Sequence, residues 1–234
     1  MNQMKIAIFY HCLFALGTPD NLLENAISIV REQVGSMKDS GVINAASEFH
    51  VGLNGGSESA TLASLIFPQN TRIVLHGLQC RNECRTILML EDWIPEHRDW
   101  LVLYLHSKGS THQAGDGFNT RWRKCMMKGV VNNWRTCVAD LGAGFEAVGS
   151  HWMEPPATPA GQFIFAGNFW WARAEFLATL PSIRTRSRIT ISGIDSIDSR
   201  YESEVWLGNG SRRPKIKDYH GPDWNPSKIG TCTE

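Results

Sequence analysis

The sequence predicts an α/β fold in which a central, mostly parallel sheet is flanked by helices. Three observations predict it. Apolar runs of strand length alternate with stretches of helical periodicity, the order that parallel strands joined by crossovers require. Polar residues (His11, Asn54, His76 and His106) stand at the carboxyl ends of four successive predicted strands. A chain of 234 residues, 42% hydrophobic and 20% charged, is long and apolar enough for one well-buried core.

The first strand covers residues 5–12, where Ile6, Ala7, Ile8, Phe9 and Tyr10 are almost continuously apolar. Asp20 is placed to cap a helix over 21–39, whose Leu22, Leu23, Ala26, Ile27, Val30, Val34 and Met37 follow the 3.6-residue period. Ser40-Gly41 ends it. Residues 48–53 form a second strand, closed by Asn54-Gly55-Gly56, and a linker leads to a third at 72–76. Asn82 opens a helix carrying Ile87, Leu88, Leu90 and Trp93, stopped before Pro95. The fourth strand, 99–105, delivers His106, Ser107, Lys108, Gly109 and Ser110 to a turn.

Residues 109–119 are a polar, glycine-containing loop of the kind that closes over ligands. A helix over 120–141 follows, with Trp122 and Trp134 on its buried stripe, and Gly142-Ala143-Gly144 stops it. Residues 145–150 suit a short strand, and prolines 155, 156 and 159 make 154–161 a loop. The run 163–172 reads as one strand, bulged at Gly167-Asn168. A helix over 173–180 ends at Pro181, 182–198 are irregular, 199–207 are helical, and the tail is loop with a strand near 215–219. Neither a repeat nor a linker divides the chain, so a single domain is expected.

Lys plus Arg balances Asp plus Glu at 23 each, so nothing electrostatic favours nucleic acid or an anionic membrane as partner. No apolar stretch approaches the ~20 residues of a transmembrane segment. The first seven residues do not form a secretory signal, and residence in the cytoplasm is expected. The six cysteines are scattered and free thiols are expected; Cys80 and Cys84 lack the second pair a zinc site needs. Tryptophan is abundant, at nine, and several lie among polar residues and glycine, where an indole packs well on a sugar or a base. Lys108, in a Gly-Ser turn rich in backbone N–H groups at a strand's carboxyl end, suits a phosphate-bearing ligand. A dehydrogenase is disfavoured because no Gly-x-Gly-x-x-Gly follows the first strand. A nucleotidyltransferase is disfavoured because Tyr10-His11-Cys12-Leu13-Phe14 stands where a Gly-rich loop with Arg and Lys belongs.

Three segments carry a family likeness. They are Leu103-Tyr104-Leu105-His106-Ser107-Lys108-Gly109 followed by Trp122-Arg123; Phe165-Ala166-Gly167-Asn168-Phe169-Trp170-Trp171-Ala172-Arg173 leading to Leu180-Pro181; and Asp198-Ser199-Arg200-Tyr201-Glu202-Ser203-Glu204-Val205-Trp206. As an ordered set they resemble a GT-A-fold glycosyltransferase, similar to rhamnan-synthesis F-type proteins and to small viral and bacterial sugar-transferase domains. The resemblance implies one GT-A-like, Rossmann-like domain over 1–234, with a nucleotide-binding half at 1–110 and an acceptor-binding half at 111–234. It implies hexosyl or deoxyhexosyl transfer from a nucleoside diphosphate sugar to a hydroxyl of a glycan or polysaccharide.

On that resemblance Tyr10 and His11 line the base or ribose, and Asn54, Asn82 and Glu83 face the same cleft. His106, Lys108 and Arg123 hold the diphosphate. Gly167 and Asn168 bond acceptor hydroxyls, and one of Trp170 and Trp171 lies under the acceptor sugar while the other packs in the core. Asp198, Glu202 and Glu204 are the candidates for taking the acceptor proton. One departure stands out: no Asp-x-Asp exists in the chain. Either Lys108, with Arg121 or Arg123, neutralises the leaving diphosphate without a metal, or Mn²⁺ or Mg²⁺ binds through Asp195 or Asp198 with His220. The alternative function is a non-catalytic carbohydrate-binding module using the same aromatic surface. His50, His97, His112 and His151 carry no prediction.

Overall fold

A strand without a polar face must be covered on both sides. The computed structural model, which describes residues 4–14, 20–76, 83–112, 114–154, 163–186 and 200–219, shows this for β1 (Ile6–Leu13), every residue of which is buried. β1 lies between β2 (Glu48–Asn54) and β4 (Leu101–His106), parallel to both, and β3 (Arg72–Leu75) extends the sheet beyond β2. On the other side come β8 (Trp170–Arg173), β5 (Ala147–Gly149) and β9 (Ile216–Asp218), giving the order β3-β2-β1-β4-β8-β5-β9. β8 runs antiparallel to both its neighbours and β9 parallel to β5, so β8 alone opposes the direction of the other six. The fold is therefore the expected mixed α/β sheet with helices on both faces.

The alternation of side chains sorts the core into two layers. Ile6, Ile8, Tyr10 and Cys12 of β1, with Leu101, Leu103 and Leu105 of β4, pack on α1 (Asp20–Asp39), α5 (Gly117–Met127) and α6 (Trp134–Gly142). Ala7 and Phe9, with Val102 and Tyr104, pack on α4 (Cys84–Trp93) and α7 (Ala174–Leu177). A short α2 (Val42–Ala45) follows α1.

Three local expectations are corrected. The linker between β2 and β3 contains a helix, α3 (Ser57–Ile66); small buried Ser59 and Ala63 and an exposed Leu65 leave only a faint apolar stripe in the sequence. The single helix expected over 120–141 is two. α5 starts early, because the Asp116 carboxylate accepts the backbone N–H groups of Phe118 and Asn119, and a π-helical turn over 128–132 separates it from α6. The run 163–172 is not one bulged strand. β7 (Ile164–Phe165) pairs with β6 (Trp152–Met153) in a separate two-stranded sheet, and the chain turns at Gly167 and Asn168, with φ of 89° and 57°, before joining the main sheet as β8. α8 (Arg200–Val205) packs against α4 and β7.

Cys12, Cys84 and Cys137 are free thiols, whereas Cys125 is disulfide-bonded, which corrects the expectation for that residue. Among the described residues no helix is long and apolar enough to cross a membrane.

Candidate functional site

The parallel register sets His11 of β1 beside His106 of β4 at the carboxyl edge of the sheet. Immediately beyond, residues 107–110 turn tightly: the Ser110 N–H donates to the Ser107 carbonyl, and Gly109 sits at φ 94°, where L side chains are strained. The Ser107 hydroxyl accepts the Leu13 N–H, which ties the turn to the end of β1. The turn, His11, His106 and Glu83 enclose a hollow of about 110 Å³, with His112 and Asn119 at its rim. A separate hollow of about 490 Å³ lies along α4 and is lined by Arg72, His76, Arg85 and Trp93 among others.

Lys108 is only 4% exposed, and its ammonium lies 3.8 Å from the centre of the Trp122 ring. That contact holds a desolvated cation in the wall of the hollow. Arg123 stands behind the turn: it donates to the Lys108 carbonyl at 3.1 Å and pairs with Glu32 through Nε and Nη2. Its guanidinium braces the lysine turn from behind.

Glu83 is buried just ahead of α4, where one carboxylate oxygen accepts from the Asn168 amide at 2.6 Å and the Tyr104 hydroxyl at 3.2 Å. Its other oxygen lies 3.5 Å from His106 Nδ1. His106 Nε2 is 2.9 Å from the Gly167 carbonyl. Asn168 completes the chain, accepting from Trp170 Nε1 at 2.7 Å and donating to the Ser203 carbonyl on α8. Gly167 is required here: a Cβ would meet Met126 Sδ at 2.5 Å and Trp122 at 3.1 Å. On the other side of the hollow, His11 Nδ1 is 2.8 Å from the Thr86 hydroxyl. Burial, then the positive fields of His106 and His76, push the His11 pKa well below the ordinary histidine value.

The structure thus brings together His11, Glu83, His106 and Lys108 around one hollow, with Gly167 and Asn168 bonded to its wall. The other predicted residues lie as follows. Tyr10 is fully buried on the opposite face of β1 and donates to Gln33, so it does not line the hollow. Asn54 is buried at the end of β2, where its backbone carbonyl accepts the Phe14 N–H. Trp170 and Trp171 do point to opposite faces, but both are buried. Trp170 stacks on Tyr104, and Trp171 donates to the Val130 carbonyl, so neither offers an open ring to a sugar. The amide of Asn168 is likewise engaged inside the protein. Glu202 is buried and Glu204 half-buried on α8. Asn82, Asp195, Asp198 and His220 lie outside the described residues. Among the described residues there is no group of three or more His, Cys, Asp or Glu that could hold a metal ion.

Sequence reasoning missed Trp122 and Thr86, which contact Lys108 and His11 in the wall of the hollow. Trp122 was expected in the core, since its helical spacing matches that of buried neighbours. Its contact with Lys108 crosses the whole intervening loop and leaves no local signature.

Residues 9–192 match the family described as Domain of unknown function (DUF8361). The chain belongs to that family. No curated protein matches it. Among solved structures, a DUF8361 chain such as this resembles a mycobacterial protein at 13% identity and a TM-score of 0.43, over 82% of this chain and 63% of that one; the chain thus spans under two thirds of that protein's length. It also resembles 4-diphosphocytidyl-2C-methyl-D-erythritol synthase, at 12% identity and a TM-score of 0.44, over 97% and 95% of the two chains. Rv0371c from Mycobacterium tuberculosis H37Rv superposes at 14% identity and a TM-score of 0.40, over 94% and 90%. At such distances the likeness carries no information on chemistry.

Proposed function

We propose that this DUF8361 chain is a transferase that moves a sugar from a nucleoside diphosphate sugar to a hydroxyl of a glycan. The observation that supports the reading most is the hollow at the tip of β4, where a buried lysine and two serine hydroxyls meet a left-handed glycine turn. Open parallel sheets take phosphate-bearing ligands at this edge. In this reading the diphosphate sits in the hollow, and nucleoside and sugar extend past its rim.

In the reaction, the acceptor oxygen bonds to the anomeric carbon as that carbon's bond to the diphosphate oxygen breaks. The electron pair leaves on the diphosphate, and Lys108 offsets the charge that grows there. The acceptor proton passes to a carboxylate of the 198–204 segment: Asp198, Glu202 or Glu204. Residues 1–110 serve as the donor half and 111–234 as the acceptor half of one domain. The carbohydrate-binding alternative needs an open aromatic platform, and burial of Trp170 and Trp171 removes the one it relied on.

Lys108→Met is expected to weaken UDP or GDP binding at least tenfold, about 1.4 kcal/mol, by calorimetry. Glu202→Gln with Glu204→Gln is expected to abolish nucleotide release in the presence of sugar acceptors while donor binding persists. Unchanged nucleotide affinity in Lys108→Met contradicts the assignment of the hollow, and retained turnover in the double variant removes both acids from the mechanism.

A further inference from the structure

We infer that the hollow between β3 and α4 is a second ligand site, separate from the one at the tip of β4, and that it takes a small organic anion: a carboxylate or phosphate head carried on an apolar body. This site does not depend on the transferase reading.

β3 closes one end of the sheet and is four residues long. Alternation puts Arg72 and Val74, with His76 just beyond them, on the face toward α4, while Ile73 packs into the opposite layer. α4 runs against the direction of β3. Its first turn lies at the carboxyl edge of the sheet, where Thr86 meets His11. Its last turn lies at the amino edge, where Trp93 Nε1 donates at 2.8 Å to Glu48, the first residue of β2. The helix rises about 12 Å from Arg85 to Trp93. Arg85 and Arg72 therefore stand at opposite ends of a trough, with Val74, Leu88 and Met89 between them. The trough holds about 490 Å³, within the range of small-molecule sites.

The two hollows are separated by packed side chains. His76 lines the trough and His11 lines the hollow at β4. Thr86 stands between them, bonded to His11 and crowded with His76 over the bare backbone of Gly52.

Charge is distributed unevenly along the trough. Among the described residues the guanidinium of neither Arg72 nor Arg85 has an ion-pair or hydrogen-bond partner. Arg184, a third arginine of the lining, is held by Asp92 at 2.9 and 3.1 Å and by Glu91 at 3.5 Å. Glu48 is taken by His50 and Trp93. The two acids that line the trough, Asp92 and the exposed Glu96, both stand toward the amino edge. The Arg85 end has no acid in its lining. His76 beside it is pushed down to about 4 by burial and then by Arg85, so at neutral pH it is an uncharged hydrogen-bonding group. An anionic head thus seats at Arg85 and His76, where a guanidinium matches its oxygens, and its body covers Val74, Leu88 and Met89. The thioether side chain of Met89 adapts to the shape of that body.

Calorimetry with four probes tests this: phenyl phosphate, phenylacetate, inorganic phosphate, which lacks the body, and benzyl alcohol, which lacks the charge. At least one of the first two should bind tenfold or more tightly than both controls, and the one that does identifies the head group. Arg85→Gln should weaken that binding at least tenfold with the melting temperature unchanged, because the replaced guanidinium is exposed and bonds to nothing in the described fold. Repeating the titrations in Lys108→Met silences the hollow at β4, and the same binding should persist there. Absence of binding at millimolar probe, affinity no better than the controls, or equal affinity in Arg85→Gln overturns the inference. Loss of binding in Lys108→Met overturns it too, and assigns the anion to the hollow at β4 instead.

Discussion

Lys108 and Trp122 meet in a contact made across the loop that separates them in sequence. A buried lysine is costly unless its ammonium is matched, and the indole face returns on the order of 2 kcal/mol in such a setting. Trp122→Leu should therefore lower nucleotide affinity several-fold while the melting temperature falls by only a few degrees, as read by calorimetry and a thermal melt. The lysine itself was legible in the sequence, as a cation at a strand's carboxyl end. Its indole partner was not, because helical spacing assigns Trp122 to the core and cannot report a contact made across a loop. The histidines set the acid limit of the fold. His76 is pushed down to about 4 by burial and then by Arg85, and His11 also falls well below its ordinary value. Both bind their proton less readily folded than unfolded. Stability is then full above about pH 6.5 and is lost as pH falls toward 4, because the unfolded chain takes up protons that the native one refuses. Urea midpoints at pH 7.5 and 5 should differ in that direction, and less so in His76→Gln. Gly52 permits this crowding: a Cβ there would lie 2.0 Å from the Thr86 hydroxyl oxygen and 2.6 Å from His76 Nε2. Gly52→Ala should destabilise the fold, by an amount typical of core overpacking, ~1–3 kcal/mol.

At the scale of elements, the antiparallel β8 joins structure to site. It threads between β4 and β5, and the turn that precedes it supplies the Gly167 carbonyl to His106 and the Asn168 amide to Glu83. Trp170 and Trp171 fix that strand from both faces. Each truncated to Ala should cost ~3–5 kcal/mol of stability, measured by denaturant unfolding, rather than lower acceptor affinity in a stable protein. The near-continuous apolar strands β1, β2 and β4 and the long amphipathic α1 were legible because one signal, burial on both faces or on a 3.6-residue stripe, dominates each. The division of 163–172 between two sheets was not, because a bulge and a chain reversal at Gly167-Asn168 look alike in one dimension. α3 escaped for a different reason: Ser59 and Ala63 bury little area, so tertiary packing rather than periodicity holds it.

For the whole molecule, parallel topology does the gathering. Residues 11, 83 and the segment 106–108 are far apart in sequence, and strands β1 and β4 with the start of α4 converge them at a single edge. Of the polar strand ends in the sequence, His11 and His106 line that edge, while His76 lines the larger hollow along α4 with Arg72, Arg85 and Trp93. These two hollows offer a direct test of where a nucleotide diphosphate binds. Amide hydrogen exchange, with and without saturating UDP, should show new protection in peptides covering 104–112 and the start of α4. Protection confined to the β3 and α4 segments that border the larger hollow, with none in 104–112, would contradict the account.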